Sequence, residues 1–401
     1  MLGTITGLIF TIALSFMAIQ WFKTRYAFLD ASMLIRLYFF HFLLTLAYYG
    51  YAAFNFSDSL GYYTRVAARG LDKGWLDYYG TSTIFIEFVG YPFIRFLGFN
   101  YEGMMLLFAF FGFLGFCFFY VFVRENIRFN HDFYGINLAV LVFFLPNLHF
   151  WSASYGKGSI IFLGIAMYFY GISKLNSRFL AVILGSLIIY HVRPHIFLVV
   201  LMASLAGFVF SAKRVSMAQR VLFLGFASVV LTFIFNDVMS LVGLEDEMLT
   251  ESTNLDHRAS KLTKATSGID IQNYNFVEKM FAFIYRPLFF DAPGLLGLIV
   301  SFENLFYLII TFKLFNMKGL QFLVKGDFMA KTAIISFFLV SFALAQVSGN
   351  LGLAMRQKSQ VMPLFMFYIL YFLDQQKVTE YRRQWTAWQR KKRAATVNSE
   401  Q

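Results

Sequence analysis

The sequence predicts an all-α, polytopic membrane protein, and three observations carry that prediction. Of its 401 residues 59% are hydrophobic and only 14% are charged, against about 25% charged in a soluble domain. The apolar residues, with 54 Phe and 23 Tyr among them, fall in long runs rather than alternating, which favours helices over a β-barrel. One cysteine, Cys117, cannot pair within the chain, so a disulfide scaffold is excluded. A soluble fold of this size has no means of hiding so much apolar surface.

Eleven spans are expected from the need for about 20 apolar residues per crossing: Leu2–Trp21, Leu34–Ala53, Met104–Val123, Phe133–Trp151, Ser159–Ser173, Phe179–Tyr190, Ile196–Ser211, Val221–Val242, Gly294–Phe315, Thr332–Gln346 and Val361–Leu373. Phe179–Tyr190 is short enough to extend back through Ser177 or to be broken. The first span lacks a basic start and is too long for a cleaved signal. Residues 1–375 read as one membrane domain and 376–401 as a basic tail.

Lys and Arg placement sets the orientation. Lys23, Arg25, Arg36, Arg124, Arg128, Lys174, Arg178, Lys213, Arg214, Arg220 and the four lysines from Lys313 to Lys331 fill alternate loops. With the tail from Lys377, these loops are expected on the cytoplasmic side and the N-terminus outside. The net charge of +12 therefore lies on one face, where topology and anionic lipid account for it. No recognition motif accompanies it, so nucleic acid is not expected as a partner. Tyr381–Arg393 mixes tryptophans with basic residues, as a surface-lying helix does.

Two long external loops are expected, about 54–103 and 243–293. In the first, the apolar stretch Ile84–Gly98 is interrupted by Glu87, Pro92 and Arg95 and suits an interfacial or re-entrant helix. The second opens polar at Glu245–Gln272 and turns amphipathic at Phe276–Phe290. Connections this long are usually functional or disordered, so chemistry is sought on the external side.

Asp58 follows the second span, and helical spacing places it with Tyr62 and Arg65 on one face. It can serve as a general base or hold a divalent cation; Ser57 or Asp58 also reads as a helix N-cap. No other cofactor is indicated. Lys157, Arg193, Arg286 and Arg356, with Lys358 nearby, stand beside spans on the side where the charge rule disfavours cations. Arginine presents a planar fork suited to phosphate oxygens; snorkelling to lipid phosphates is the plainer alternative. His191 and His195 are four apart, but Pro194 lies between them and no metalloprotease pattern follows. They can polarise a sugar hydroxyl or simply hydrogen-bond at the interface. Glu303 lies deep in a span, where a carboxylate faces a cavity or a neighbouring helix. There is no GxxxxGK[ST], GxGxxG, HExxH or GxSxG pattern.

The order of these features carries a resemblance. Phe56-Ser57-Asp58-Ser59-Leu60-Gly61-Tyr62-Tyr63, an interfacial helix, Leu145-Pro146-Asn147, Trp151-Ser152 and Lys157-Gly158-Ser159 resemble the N-terminal half of GT-C-type membrane glycosyltransferases. Arg193-Pro194-His195, the stretch from Arg286 to Ala292, and Asn350 to Lys358 resemble O-antigen-polymerase-like proteins of bacterial surface polysaccharide assembly. The resemblance implies a polyprenyl-(pyro)phosphate-linked saccharide as donor, on the outer face of the bacterial inner membrane. Membrane lipids and other envelope glycan proteins would be its partners. It implies Arg193, Arg286, Arg356 and Lys157 at the phosphate, Asp58 and His195 as catalytic groups, and Tyr62, Trp151, His191 and Glu303 near the sugar. A departure is the extra span before the acidic loop. A transporter or lipid-linked-sugar flippase is the competing expectation, though no repeat symmetry is visible.

Overall fold

The computed structural model describes residues 2–211 except 56, 130 and 134, isolated positions between 216 and 229, and residues 274–399 except 349. The eighth expected span and the polar loop Glu245–Gln272 lie largely or wholly outside the described residues. Helices dominate. They run α1 (Leu2–Arg25), α2 (Ala31–Phe54), α3 (Asp58–Thr64), α4 (Thr83–Arg95), α5 (Tyr101–Asn126), α6 (Leu138–Phe143), α7 (Pro146–Ser152), α8 (Lys157–Ile172), α9 (Leu175–Val192) and α10 (Pro194–Ser211). Further along the chain come α11 (Phe276–Tyr285), α12 (Gly294–Thr311), α13 (Met317–Lys325), α14 (Phe328–Val347), α15 (Leu351–Lys358) and α16 (Met362–Ser399). A two-residue antiparallel pair, β1 (Asp132–Phe133) and β2 (Ile136–Asn137), precedes α6.

Seven of these helices, α1, α2, α5, α9, α10, α12 and α14, are long and apolar enough to cross a membrane. The protein is thus a helical membrane protein by length and composition. α5 and α8 form the buried centre, whereas α1 turns Ile5, Ile9, Ile12 and Phe16 outward. Such apolar outer faces suit lipid.

Close approach of helices is bought with glycine. A Cβ on Gly7 would lie 2.6 Å from the Gly103 Cα, so α1 and α5 touch backbone to backbone, as small residues allow in membrane bundles. A Cβ on Gly112 of α5 would meet the Ser152 carbonyl at 2.1 Å and His41 Nε2 at 3.0 Å.

Hydrogen bonds sort the polar residues to two ends of the bundle. At one end Glu125 accepts both arms of Arg178 at 2.8 and 2.7 Å and Lys174 at 2.9 Å. Asp374 there accepts the amides of Arg128 and Phe129, each at 2.8 Å. Asp58, Ser82, Lys157, His191, Arg286 and Arg356 gather at the other.

Three sequence expectations change, and one expected alternative is realised. Phe133–Trp151 is not one continuous helix: the β1–β2 pair, α6 and α7 share it, because Pro146 disfavours a helical Leu145, which is extended (φ −69°, ψ 121°). α9 realises the alternative for Phe179–Tyr190, beginning at Leu175 and leaving helical geometry at Arg178. The lysine-rich loop holds a further helix, α13. The tail does not form a separate surface-lying helix; it continues α16 without a break, and Trp385 and Trp388 stack at 5.0 Å on its exposed side. The long first loop holds α3, a π-turn (Arg65–Arg69), a 3-10 turn (Trp75–Tyr78) and α4, a helix over the apolar stretch that begins at Ile84. α11 matches the amphipathic stretch at Phe276.

Gly112→Ala is expected to push α7 off α5, since the new methyl meets backbone rather than a flexible side chain. The detergent-solubilised variant should lose about 1–3 kcal/mol of stability, read as a lowered melting temperature.

Candidate functional site

The site begins where α2 ends. Ser57 is the N-cap of α3, and its hydroxyl accepts the Ser59 amide at 3.3 Å. That cap fixes Asp58 as the first helical residue, with its carboxylate toward the bundle. Arg356 reaches it from α15: Nη1 donates to Asp58 Oδ2 at 2.8 Å across 298 positions of sequence. The side chains are 29% and 14% exposed, so the pair is half-buried yet reachable. Burial works against the Arg356 charge, but Asp58, aided by Tyr62 and Tyr48, outweighs it and raises the guanidinium above its ordinary value.

Trp151 completes this corner. The Arg356 guanidinium lies 5.9 Å from its ring centre, a cation–π contact. Trp151 Nε1 is buried and has no hydrogen-bond acceptor. Tyr62 is fully buried under Arg65, whose guanidinium is 5.3 Å from the ring. Arg65 in turn pairs with Glu87 of α4. Burial pushes the Glu87 carboxyl above its usual range, while Arg65 and Lys73 pull it down. Arg65 Nη2 and Tyr155 OH are also buried without acceptors.

A second group forms around Ser82. Lys157 opens α8, is 4% exposed, and donates from Nζ to Ser82 Oγ at 2.7 Å. The Ser82 amide donates to the His191 carbonyl at 2.6 Å, and His191 Nε2 lies 3.2 Å from Tyr79 OH. Ser82 has φ +62°, the one non-glycine residue in that region among those described, at a cost of about 1–3 kcal/mol. The Lys157 and His191 contacts help to hold it there.

Arg286 stands apart from Asp58. It pairs with Asp291 and donates to Tyr274 OH at 2.8 Å. Burial alone would weaken its charge, but Tyr274 and Asp291 raise it. Arg193 and His195 are buried at the turn between α9 and α10, 7% and 4% exposed. The phosphate-binding set expected from sequence therefore occupies separate stations at one end of the bundle. Among the described residues, no group of three or more His, Cys, Asp or Glu is placed to hold a metal ion. Two cavities are lined by other residues, one between α1, α2 and α5 and one beside Asp132 and Lys313.

Beneath the Asp58 corner lies a layer that the sequence marks at Glu303 and Asn304, without their partners. The Glu303 carboxylate accepts the Asn147 amide at 2.9 Å and the Tyr307 hydroxyl. Leu145 offers no side-chain cap to α7, so Glu303 caps α7 from α12. Asn147 Nδ2 donates to the Met355 carbonyl at 3.1 Å. Next to Glu303, Asn304 donates to the Pro287 carbonyl at 2.7 Å and accepts Lys358 Nζ at 2.6 Å. Lys358 is fully buried and also donates to the Arg286 carbonyl at 2.7 Å. Burial pushes its amine down to about 7, with Glu303 and Asp291 acting the other way. Asn304 is visible in the sequence beside Glu303, and Asn147 in the Leu145-Pro146-Asn147 motif, but an asparagine in an apolar run carries no signal of its partners. The polar pair Glu303-Asn304 within one span was the visible hint.

Comparison with family models, curated proteins and solved structures finds no match. The site is therefore read from its own geometry.

Lys358 sets a pH dependence. The unfolded chain keeps its proton up to the ordinary 10.5, whereas the folded amine releases it near 7. Between those values the unfolded state binds more protons, so stability should rise with pH and be least favourable below about 7. Lys358→Met should abolish that slope in melts over this range. It should also cost about 1–3 kcal/mol, because Asn304 Oδ1 and the Arg286 carbonyl lose their donor.

Proposed function

We propose that the protein is a membrane glycosyltransferase or polysaccharide polymerase. It takes sugar from a polyprenyl-(pyro)phosphate-linked donor at the outer face of a bacterial inner membrane. The proposed topology is eleven spans, with the N-terminus outside and the basic end of α16 in the cytoplasm. The observation that carries the reading is the partly buried Asp58–Arg356 pair against Trp151. A carboxylate and an arginine fork from distant segments meet there beside a buried indole N–H without an acceptor. This is a donor set for phosphate oxygens together with a base for the attacking hydroxyl.

The pair supplies a sequence of events. A donor phosphate competes with Asp58 for Arg356, and Trp151 Nε1 gains an acceptor. Asp58, released from its partner, accepts the proton of the incoming sugar hydroxyl as that oxygen attacks the anomeric carbon. The glycosidic bond to phosphate breaks, and Arg356 stabilises the charge on the departing phosphate. Lys157 lies nearby at the start of α8, Arg286 stands apart with Asp291, and lipid surrounds the polyprenyl tail.

The experiment is glycan analysis in cells that depend on the protein. Asp58→Asn and Arg356→Lys should each reduce surface glycan by about 100-fold while the protein still reaches the membrane. The charge-swapped double variant, Asp58→Arg with Arg356→Asp, restores the ion pair but not its polarity. It should stay inactive. Full-length glycan from the two single variants, or rescue by the swap, would show that the pair is a structural tie and end this reading.

A further inference from the structure

Two buried histidines play no part in the proposed transfer. His41 of α2 is 2% exposed and His149 of α7 is fully buried. Their Nδ1 atoms lie 3.0 Å apart. His41 Nε2 lies 3.0 Å from the Ala109 carbonyl, and His149 Nε2 lies 2.8 Å from the Phe143 carbonyl. A carbonyl oxygen only accepts, so each Nε2 must carry a hydrogen. The Nδ1–Nδ1 contact needs one more. Three contacts thus require three protons, and two neutral imidazoles hold two.

We propose that His41 and His149 form a proton-binding site, an imidazole–imidazolium pair sharing one proton between their Nδ1 atoms inside the helical bundle.

A second observation points the same way. Phe116 stacks flat on His149, with ring centres 3.8 Å apart and 6° between planes, and an aromatic face attracts a cation. Desolvation opposes the charge; the two carbonyls that accept the Nε2 hydrogens and the Phe116 face support it. A small, mostly apolar cavity between α1, α2 and α5 reaches His41, with Thr11, Ser15, Tyr38 and Thr45 as the other polar residues on its wall.

The neighbouring titratable groups leave the pair to itself. Tyr38 lies one turn before His41 on α2, and Cys117 follows Phe116 on α5. Lys157 starts α8, while α12 and α15 bring Glu303 and Arg356 against α7 at Asn147 and Trp151. α1 turns Thr11 and Ser15 toward the cavity, and α6 has no titratable residue. Among the described residues none of these hydrogen-bonds to either ring. The shared proton joins α2, which leads to Asp58, to α7, which carries Trp151.

The test is ring-nitrogen NMR on the full chain in lipid nanodiscs with 15N-labelled histidine, assigned with His41→Gln and His149→Gln. At about pH 6 three of the pair's four ring nitrogens should be protonated in the unsubstituted protein. Raising the pH should remove one proton per pair in a single step. In either Gln variant the remaining ring should be neutral at the same pH. Two protonated nitrogens of four at about pH 6, or two rings titrating independently, would overturn the proposal. The count needs only the unsubstituted protein, so it stands even where a variant does not fold, and it measures no glycosyl transfer.

Discussion

Glu303 and Asn304 are the constraint on which the functional end of the molecule rests. A carboxylate inside a membrane bundle is costly unless it accepts hydrogen bonds. Glu303 takes the backbone amide of Asn147 and the hydroxyl of Tyr307, and in doing so caps a seven-residue helix that has no cap of its own. Asn304, one residue on, binds the Pro287 carbonyl and the Lys358 amine. One turn of α12 thereby fixes α7, the approach to α12, and α15. Trp151 sits on α7 and Arg356 on α15, so their meeting with Asp58 depends on this layer.

The layer also explains the form of the cationic residues above it. Arginines near an apolar interior need a carboxylate, because an unpaired charge removed from water is expensive. Arg65 has Glu87, Arg286 has Asp291 and Arg356 has Asp58. The first two pairs bury their carboxylates more deeply, at 6% and 3% side-chain exposure against 14% for Asp58. Asp58–Arg356 is the pair of the three whose carboxylate is most open to solvent. Lys157 serves a different purpose, holding Ser82 in its uncommon backbone conformation and so setting the start of α4 against α9.

Much of the architecture was legible because lipid imposes simple requirements on a helix. The apolar runs marked α1, α2, α5, α10, α12 and α14, and the interruptions at Glu87, Pro92 and Arg95 marked α4 as something other than a span. The division of Phe133–Trp151 into a hairpin and two short helices was missed, since Pro146 was read within a hydrophobic run rather than as a break. The continuity of α16 through residue 376 was missed for the opposite reason. A change in composition suggested a boundary where the backbone has none.

The sequence joins Asp58, Arg356 and Trp151 in one site only through a family resemblance, and gives them separate roles there rather than contacts with one another. Sequence determined the class of fold, the segregation of charge and the residues worth watching, because those follow from local composition and from the cost of placing charge in hydrocarbon. Only the tertiary structure decided that Arg356 belongs to Asp58 while Arg286 belongs to Asp291, that Glu303 caps α7, and that His41 and His149 touch. Those pairings join residues up to 298 positions apart, and no local pattern encodes which helix face will meet which.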